Sequence, residues 1–131
     1  MKTDAAAPAS ILLVDDNTHG LTARGLILQE LGHSIVTATS AEQGWELFQQ
    51  TSFDLVVTDY RMGKMNGLEF IKAVRADRAY ERVVVMMVTS ESEPAHIARA
   101  LMAGADEYAI KPMTSDGLRQ KLQLVGLSQP A

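Results

Sequence analysis

Residues able to do chemistry collect directly after short apolar runs in this sequence. I-L-L-V at 11–14 is followed by Asp15 and Asp16, L-V-V-T at 55–58 by Asp59, V-V-V-M-M-V at 83–88 by Thr89 and Ser90, and Y-A-I at 108–110 by Lys111 and Pro112. For any one aspartate, a helix cap or the start of a turn is a sufficient explanation. Three gathered at one place require more. Two carboxylates about 4 Å apart repel by roughly 4 kcal/mol at an effective dielectric near 20, so a cluster of three needs cations or protonation. The chain has no cysteine and no paired-histidine spacing, which leaves oxygen ligands and a hard ion. Few protein ligands completed by waters suit Mg²⁺. Lys111 adds one fixed positive charge.

For these side chains to meet, the chain must return each apolar run to the same edge. Its 131 residues, 47% apolar and 21% charged, are one domain's worth and have the balance of a globular protein rather than a disordered one. Apolar runs at 11–14, 35–38, 55–58, 83–88 and 108–110 alternate with helical patterns. Gly32 stops the first helix, Ser40 and Gln43 form a capping box for the second, and Pro94 suits the first turn of the fourth. Leu68, Ile71 and Val74, then Ile97 and Leu101, then Leu118, Leu122 and Val125 recur at helical spacing and give each helix a side to bury. Strands this continuously apolar belong to a parallel sheet covered on both faces. The expected fold is α/β, a five-stranded parallel sheet between helical layers, with its ligand crevice at the carboxyl ends of the strands. Residues 1–9 read as a flexible leader, 10–126 as the domain and 127–131 as a short tail.

Several function classes are disfavoured on composition. A net charge of −4 argues against a nucleic-acid binder dominated by phosphate contacts. The longest apolar run, Val83 to Val88, falls far short of the ~20 residues of a membrane span, and no signal-peptide core is visible. The expected location is the cytoplasm, which the lack of cysteine fits.

V-D-D-N at 14–17, D-Y-R-M-G-K-M-N-G at 59–67, V-T-S at 88–90 and A-G-A-D-E-Y-A-I-K-P at 103–112 resemble the receiver domain of two-component response regulators (CheY-like). The match runs from about Ile11 to Val125, with Thr89 30 residues after Asp59 and Lys111 22 after Thr89. The resemblance implies the flavodoxin/CheY-like strand order 2-1-3-4-5. It implies that Asp59 is the nucleophile that accepts a phosphoryl group from a sensor histidine kinase. Asp16 and Asp59 would ligate Mg²⁺ directly with the backbone carbonyl of Arg61, and Asp15 would hold the ion through water. Charge on the equatorial oxygens of a loose, in-line transition state would be shared by the ion, Lys111 and Thr89. Thr89 and Tyr108 would be the switch: as Thr89 moves toward the phosphoryl group, the Tyr108 ring turns inward and reshapes the face of the fourth helix, fifth strand and fifth helix. Without the motif, Tyr108 would be a strand tyrosine with a wet hydroxyl.

The chain departs from the family pattern at Gly63, where proline is usual, at Asn66, which replaces a common aspartate, and at Ser90, where alanine or glycine is frequent. Arg61 and Glu91 hold the positions that tune phosphoryl lifetime in the family, and the two are suited to pair. His19, His33 and His96 are too scattered for a local metal motif and read as surface or edge side chains. Trp45 with Phe48 reads as helix packing. Met62, Met65, Met86, Met87, Met102 and Met113 read as fillers of core and loop gaps.

The leading reading is a stand-alone response regulator receiver whose output is another protein, because only G-L-S-Q-P-A follows the fifth helix. The alternative is a receiver domain excised from a longer regulator. Similarity of T-S-E-S-E-P-A-H-I-A-R-A-L-M-A-G-A-D-E-Y to chemotaxis receivers makes a flagellar motor switch or a chemotaxis kinase the first partners to test, with the chain a monomer or a phosphorylation-dependent dimer. A Mg²⁺-dependent phosphohydrolase also forms an aspartyl phosphate but usually carries a general-acid aspartate two residues after the nucleophile, where this chain has Arg61. A flavin-binding relative is disfavoured by the D-D-N turn, which would repel phosphate.

Overall fold

Alternation along the strands sends their side chains to two opposite faces, and in the three central strands both faces are buried. A computed structural model describes residues 8–127 apart from Lys64. Its elements are β1 (Ser10–Val14), α1 (Thr18–Glu30), β2 (Ser34–Ala38), α2 (Ala41–Gln50), β3 (Leu55–Thr58), α3 (Gly67–Ala76), a 3-10 turn (Arg78–Tyr80), β4 (Val84–Thr89), α4 (Pro94–Ala103), β5 (Glu107–Ile110) and α5 (Ser115–Leu124). All strand pairs are parallel and the order is β2-β1-β3-β4-β5, the order that the resemblance implies.

Leu12, Val14, Val56, Val85 and Met87 point to one face and pack with Phe48, Phe70, Ile71 and Val74 of α2 and α3 and Ala100 of α4. Ile11, Leu13, Leu55, Val57, Met86 and Val88 point to the other, against Leu21 and Leu28 of α1 and Leu122 of α5. Each fully buried large side chain among these removes enough apolar surface to stabilise the fold by about 1.5–3 kcal/mol. Trp45 stacks on Phe48 with ring centroids 5.9 Å apart, as helix packing requires.

Local chemistry sets the helix ends. Asn17, Ser40, Asn66 and Thr114 each cap the helix that follows them with a side-chain oxygen, satisfying a backbone N–H that would otherwise lack a partner. Gly32 has φ of 98°, a conformation that a side chain would strain, and it turns the chain out of α1. The expected capping box at Ser40 is only half formed. Ser40 Oγ accepts from Gln43 N, but Gln43 Oε1 accepts from Thr39 N instead of Ser40 N. The reciprocal box is made by Asn66 and Glu69 at the start of α3.

Four expectations are corrected. Ordered packing starts at Ala9, which is buried, accepts from Ser34 N and donates to His33 Nδ1; residues 1–7 lie outside the described part. His33 is accordingly a buried residue and not a surface or edge side chain, and desolvation holds its pKa below the ordinary histidine value. Leu127, assigned to the short tail, donates its N–H to Leu122 O and packs against the core, so packing extends one residue beyond the expected domain end. On α4 the fully buried residue is Ala100, while Leu101 is 48% and Met102 88% exposed. The apolar stripe is wider than its neighbours cover, and the small alanine lets the helix sit close to the sheet.

Candidate functional site

β1 lies between β2 and β3, so the connections leaving its two sides run in opposite directions and a crevice opens at its carboxyl end. Backbone hydrogen bonds carry the ladder into that crevice: Asp15 N donates to Ala38 O, Asp59 N to Val14 O and Lys111 N to Thr89 O. The polar residues after β1, β3, β4 and β5 are thus aligned along one edge.

Asp15, Asp16 and Asp59 each present a carboxylate oxygen, and these atoms lie within 4.8 Å of one another. Lys111 Nζ bridges two of them, 2.7 Å from Asp15 Oδ2 and 3.0 Å from Asp59 Oδ2. Asp15 is 2% exposed. Its Oδ1 accepts from Asn17 N at 2.9 Å, and its Oδ2 accepts from Arg24 as well as from Lys111. Asp59 Oδ1 accepts from Tyr60 N at 2.7 Å. Asp16 is exposed and faces an open cavity of about 350 Å³ that it shares with Tyr60, Arg61, Met62, Gly63 and Asn66. An all-oxygen donor set at the mouth of a wet cavity has the chemistry of a hard-cation site.

Thr89 is 1% exposed, and its Oγ1 accepts from Glu91 N at 3.3 Å. Met87 of β4 pairs with Tyr108 of β5, so alternation puts Thr89 and Tyr108 on the same face. The Tyr108 ring is turned inward, and its hydroxyl donates to Glu91 O at 2.5 Å. Burial, and then the nearby charge of Glu91, push the phenol up to about 12. Arg61 and Glu91 do pair, Nε to Oε2 at 2.5 Å. This contact draws the Glu91 carboxyl below and the Arg61 guanidinium above their ordinary values.

All seven sequence-predicted site residues, Asp15, Asp16, Asp59, Arg61, Thr89, Tyr108 and Lys111, lie on this edge or its rim. Two further residues are drawn in. Arg24 of α1, 8% exposed, pairs with Asp15. An arginine where the Leu21 to Leu28 stripe calls for an apolar residue is the signal that would have found it. His96 of α4 lies edge-on to Tyr60 with centroids 5.0 Å apart, and its Nε2 is 3.4 Å from Glu91 Oε1. Of the three histidines only His19 is exposed.

A family profile described as response regulator receiver domain matches residues 11–123. The chain is 37% identical over 118 residues to a chemotaxis protein CheY homolog of Campylobacter jejuni, covering 86% of this chain and 88% of the relative. The solved structure of chemotaxis protein CheY4 from Vibrio cholerae superposes with a TM-score of 0.86 at 31% identity, covering 91% of this chain and 99% of that one. The receiver domain of a sensor histidine kinase from Pseudomonas aeruginosa, solved with a magnesium ion coordinated in its active site cleft, has a TM-score of 0.83 at 26% identity, covering 92% and 99%.

Proposed function

The chain belongs to the response regulator receiver domain family, and from that premise we propose that it works as a phosphorylation-controlled binding module with Asp59 as the phosphoryl acceptor. The observation that carries this reading is the Lys111 ammonium shared between Asp15 and Asp59, which keeps a nucleophilic carboxylate beside a fixed cation at the mouth of a crevice. A carboxylate oxygen of Asp59 attacks the phosphorus of a kinase phosphohistidine. The P–N bond breaks, its electron pair leaves with the imidazole, and an acyl phosphate remains on Asp59. In this reading Lys111, which touches Asp59, and the Thr89 hydroxyl share the added negative charge.

The donor set fits Mg²⁺, which Asp16, Asp59 and the Arg61 carbonyl would ligate directly. Asp15, whose two oxygens already accept three hydrogen bonds, is suited to hold a metal-bound water instead. When bound, the ion would supply positive charge to the phosphoryl oxygens.

The output face follows from the switch residues. Tyr108 sits beneath α4, and Leu101, Met102 and Ile110 stand exposed on α4 and β5, an apolar surface suited to a protein partner. With a chemotaxis relative at 37% identity, a flagellar motor switch and a chemotaxis kinase are the first partners to assay, in the cytoplasm, with the receiver as a monomer or a phosphorylation-dependent dimer. The deciding experiment is incubation with acetyl phosphate and Mg²⁺ followed by intact mass. Wild type should gain one phosphoryl group and Asp59→Asn none; equal gain in both would reject Asp59.

A further inference from the structure

We infer that the buried charge of Arg24 lowers the affinity of the carboxylate cluster for a divalent cation and so sets how tightly the ion is held there. The inference rests on the reading of Asp15, Asp16 and Asp59 as a cation site. Arg24 falls among the buried residues of α1, between Leu21 and Leu28, a place where an unpaired guanidinium would be strongly destabilising. Its partner is Asp15, which is buried more deeply still.

Space for the guanidinium is left by Gly20, one helical turn earlier on the same face. A Cβ at position 20 would stand 3.1 Å from Arg24 Nη1 and 3.4 Å from Nη2, so the glycine and the arginine form one fitted unit. Arg24 also borders a narrow void with Leu21, Val57, Thr58 and Asp59 that has no room for water. Without intervening water, its charge acts on Asp59 as well as on Asp15.

Asp15 is held by Arg24 from one side and Lys111 from the other, and its contacts with Lys111 and with Asn17 N keep it oriented when Arg24 is replaced. Two cations then face three carboxylates, and an incoming divalent ion meets less negative charge than Lys111 alone would leave. One unit charge acting on a divalent ion at roughly 6 Å, even in a medium as polar as water, amounts to about tenfold in affinity.

The test is calorimetric titration with Mg²⁺ alone of wild type, Arg24→Leu, Arg24→Gln, Arg24→Lys and Asp16→Asn, with folding checked by circular dichroism. Arg24→Gln keeps a donor for Asp15 and serves if the leucine variant fails to fold. Arg24→Leu and Arg24→Gln should bind Mg²⁺ about tenfold more tightly, and Arg24→Lys should return to the wild-type value. A merely structural role predicts the reverse, weaker binding as Asp15 loses its orientation. Unchanged or weaker binding in both neutral variants, with wild type binding and Asp16→Asn not, would overturn the role of Arg24 alone. Absence of Mg²⁺ binding by wild type would overturn the cation site itself.

Discussion

The hydroxyl of Tyr108 is bonded to the backbone carbonyl of Glu91 at 2.5 Å, which ties β5 to the segment between β4 and α4. The side chain of the same Glu91 holds Arg61 at 2.5 Å and lies 3.4 Å from His96 on α4. One residue therefore connects the mouth of the crevice, the buried tyrosine and the first turn of α4, where His96 packs against Tyr60. A displacement of the segment by Thr89, whose Oγ1 accepts from Glu91 N, would be felt at all three.

Alkaline titration should reveal the burial of Tyr108. Its folded-state pKa lies at about 12 against an ordinary value of 10.0. Between these values the unfolded chain has released the phenolic proton and the folded chain still binds it, so the contribution to stability is complete below pH 10 and is lost as pH rises toward 12. Tyrosinate absorbance should show a late-titrating phenol in wild type that is missing in Tyr108→Phe, and the pH slope of urea stability above pH 10 should flatten in the variant. The same late titration in both proteins would assign it to another tyrosine.

Arg61 is exposed at the rim, with Glu91 as its anchor. Hydrolysis of an aspartyl phosphate needs water in line with the breaking bond, and a long side chain held across that approach obstructs it. Arg61→Ala should shorten the phosphoryl lifetime several-fold, and Glu91→Ala should shorten it less. Phosphate release after removal of the donor measures this. A longer lifetime in Arg61→Ala would instead mean that the arginine orients the water.

Lys111→Ala should fold, because the buried Asp15 keeps its contact with Arg24. Phosphoryl acceptance should persist while binding of the phosphorylated protein to its target falls at least tenfold, since the ammonium is the group that touches both Asp15 and Asp59. Partner titration with and without acetyl phosphate checks it. Wild-type affinity in the phosphorylated variant would exclude a coupling role.

Gly67 admits no side chain. Its N–H donates to Tyr60 O at 2.8 Å, and a Cβ there would fall 1.9 Å from Asp59 O and 3.2 Å from the Met87 side chain. Gly67→Ala should therefore cost about 2 kcal/mol or more, a backbone clash with overpacking, and should slow phosphoryl acceptance by displacing Asp59. Urea unfolding and acetyl phosphate kinetics measure the two effects, and a change below about 0.5 kcal/mol would mean that the loop yields freely.

Much of the architecture is legible in the sequence alone. Five apolar runs of strand length separated by helical patterns admit few arrangements other than a covered parallel sheet, and that sheet sends Asp15, Asp16, Asp59, Thr89 and Lys111 to one edge. The strand order came from the family resemblance, because periodicity does not say which strands are neighbours. Tertiary structure alone decided the contacts between segments far apart in the chain: Lys111 between Asp15 and Asp59, Tyr108 on the Glu91 carbonyl, and His33 buried beneath Ala9. Arg24 shows the reason most directly. Its charge marks it as a surface residue, and only the approach of α1 to the end of β1, with room left at Gly20, makes a buried place beside Asp15 more favourable than water. An apolar pattern reports how much of a helix is buried, whereas the partner of a buried charge depends on where another segment ends.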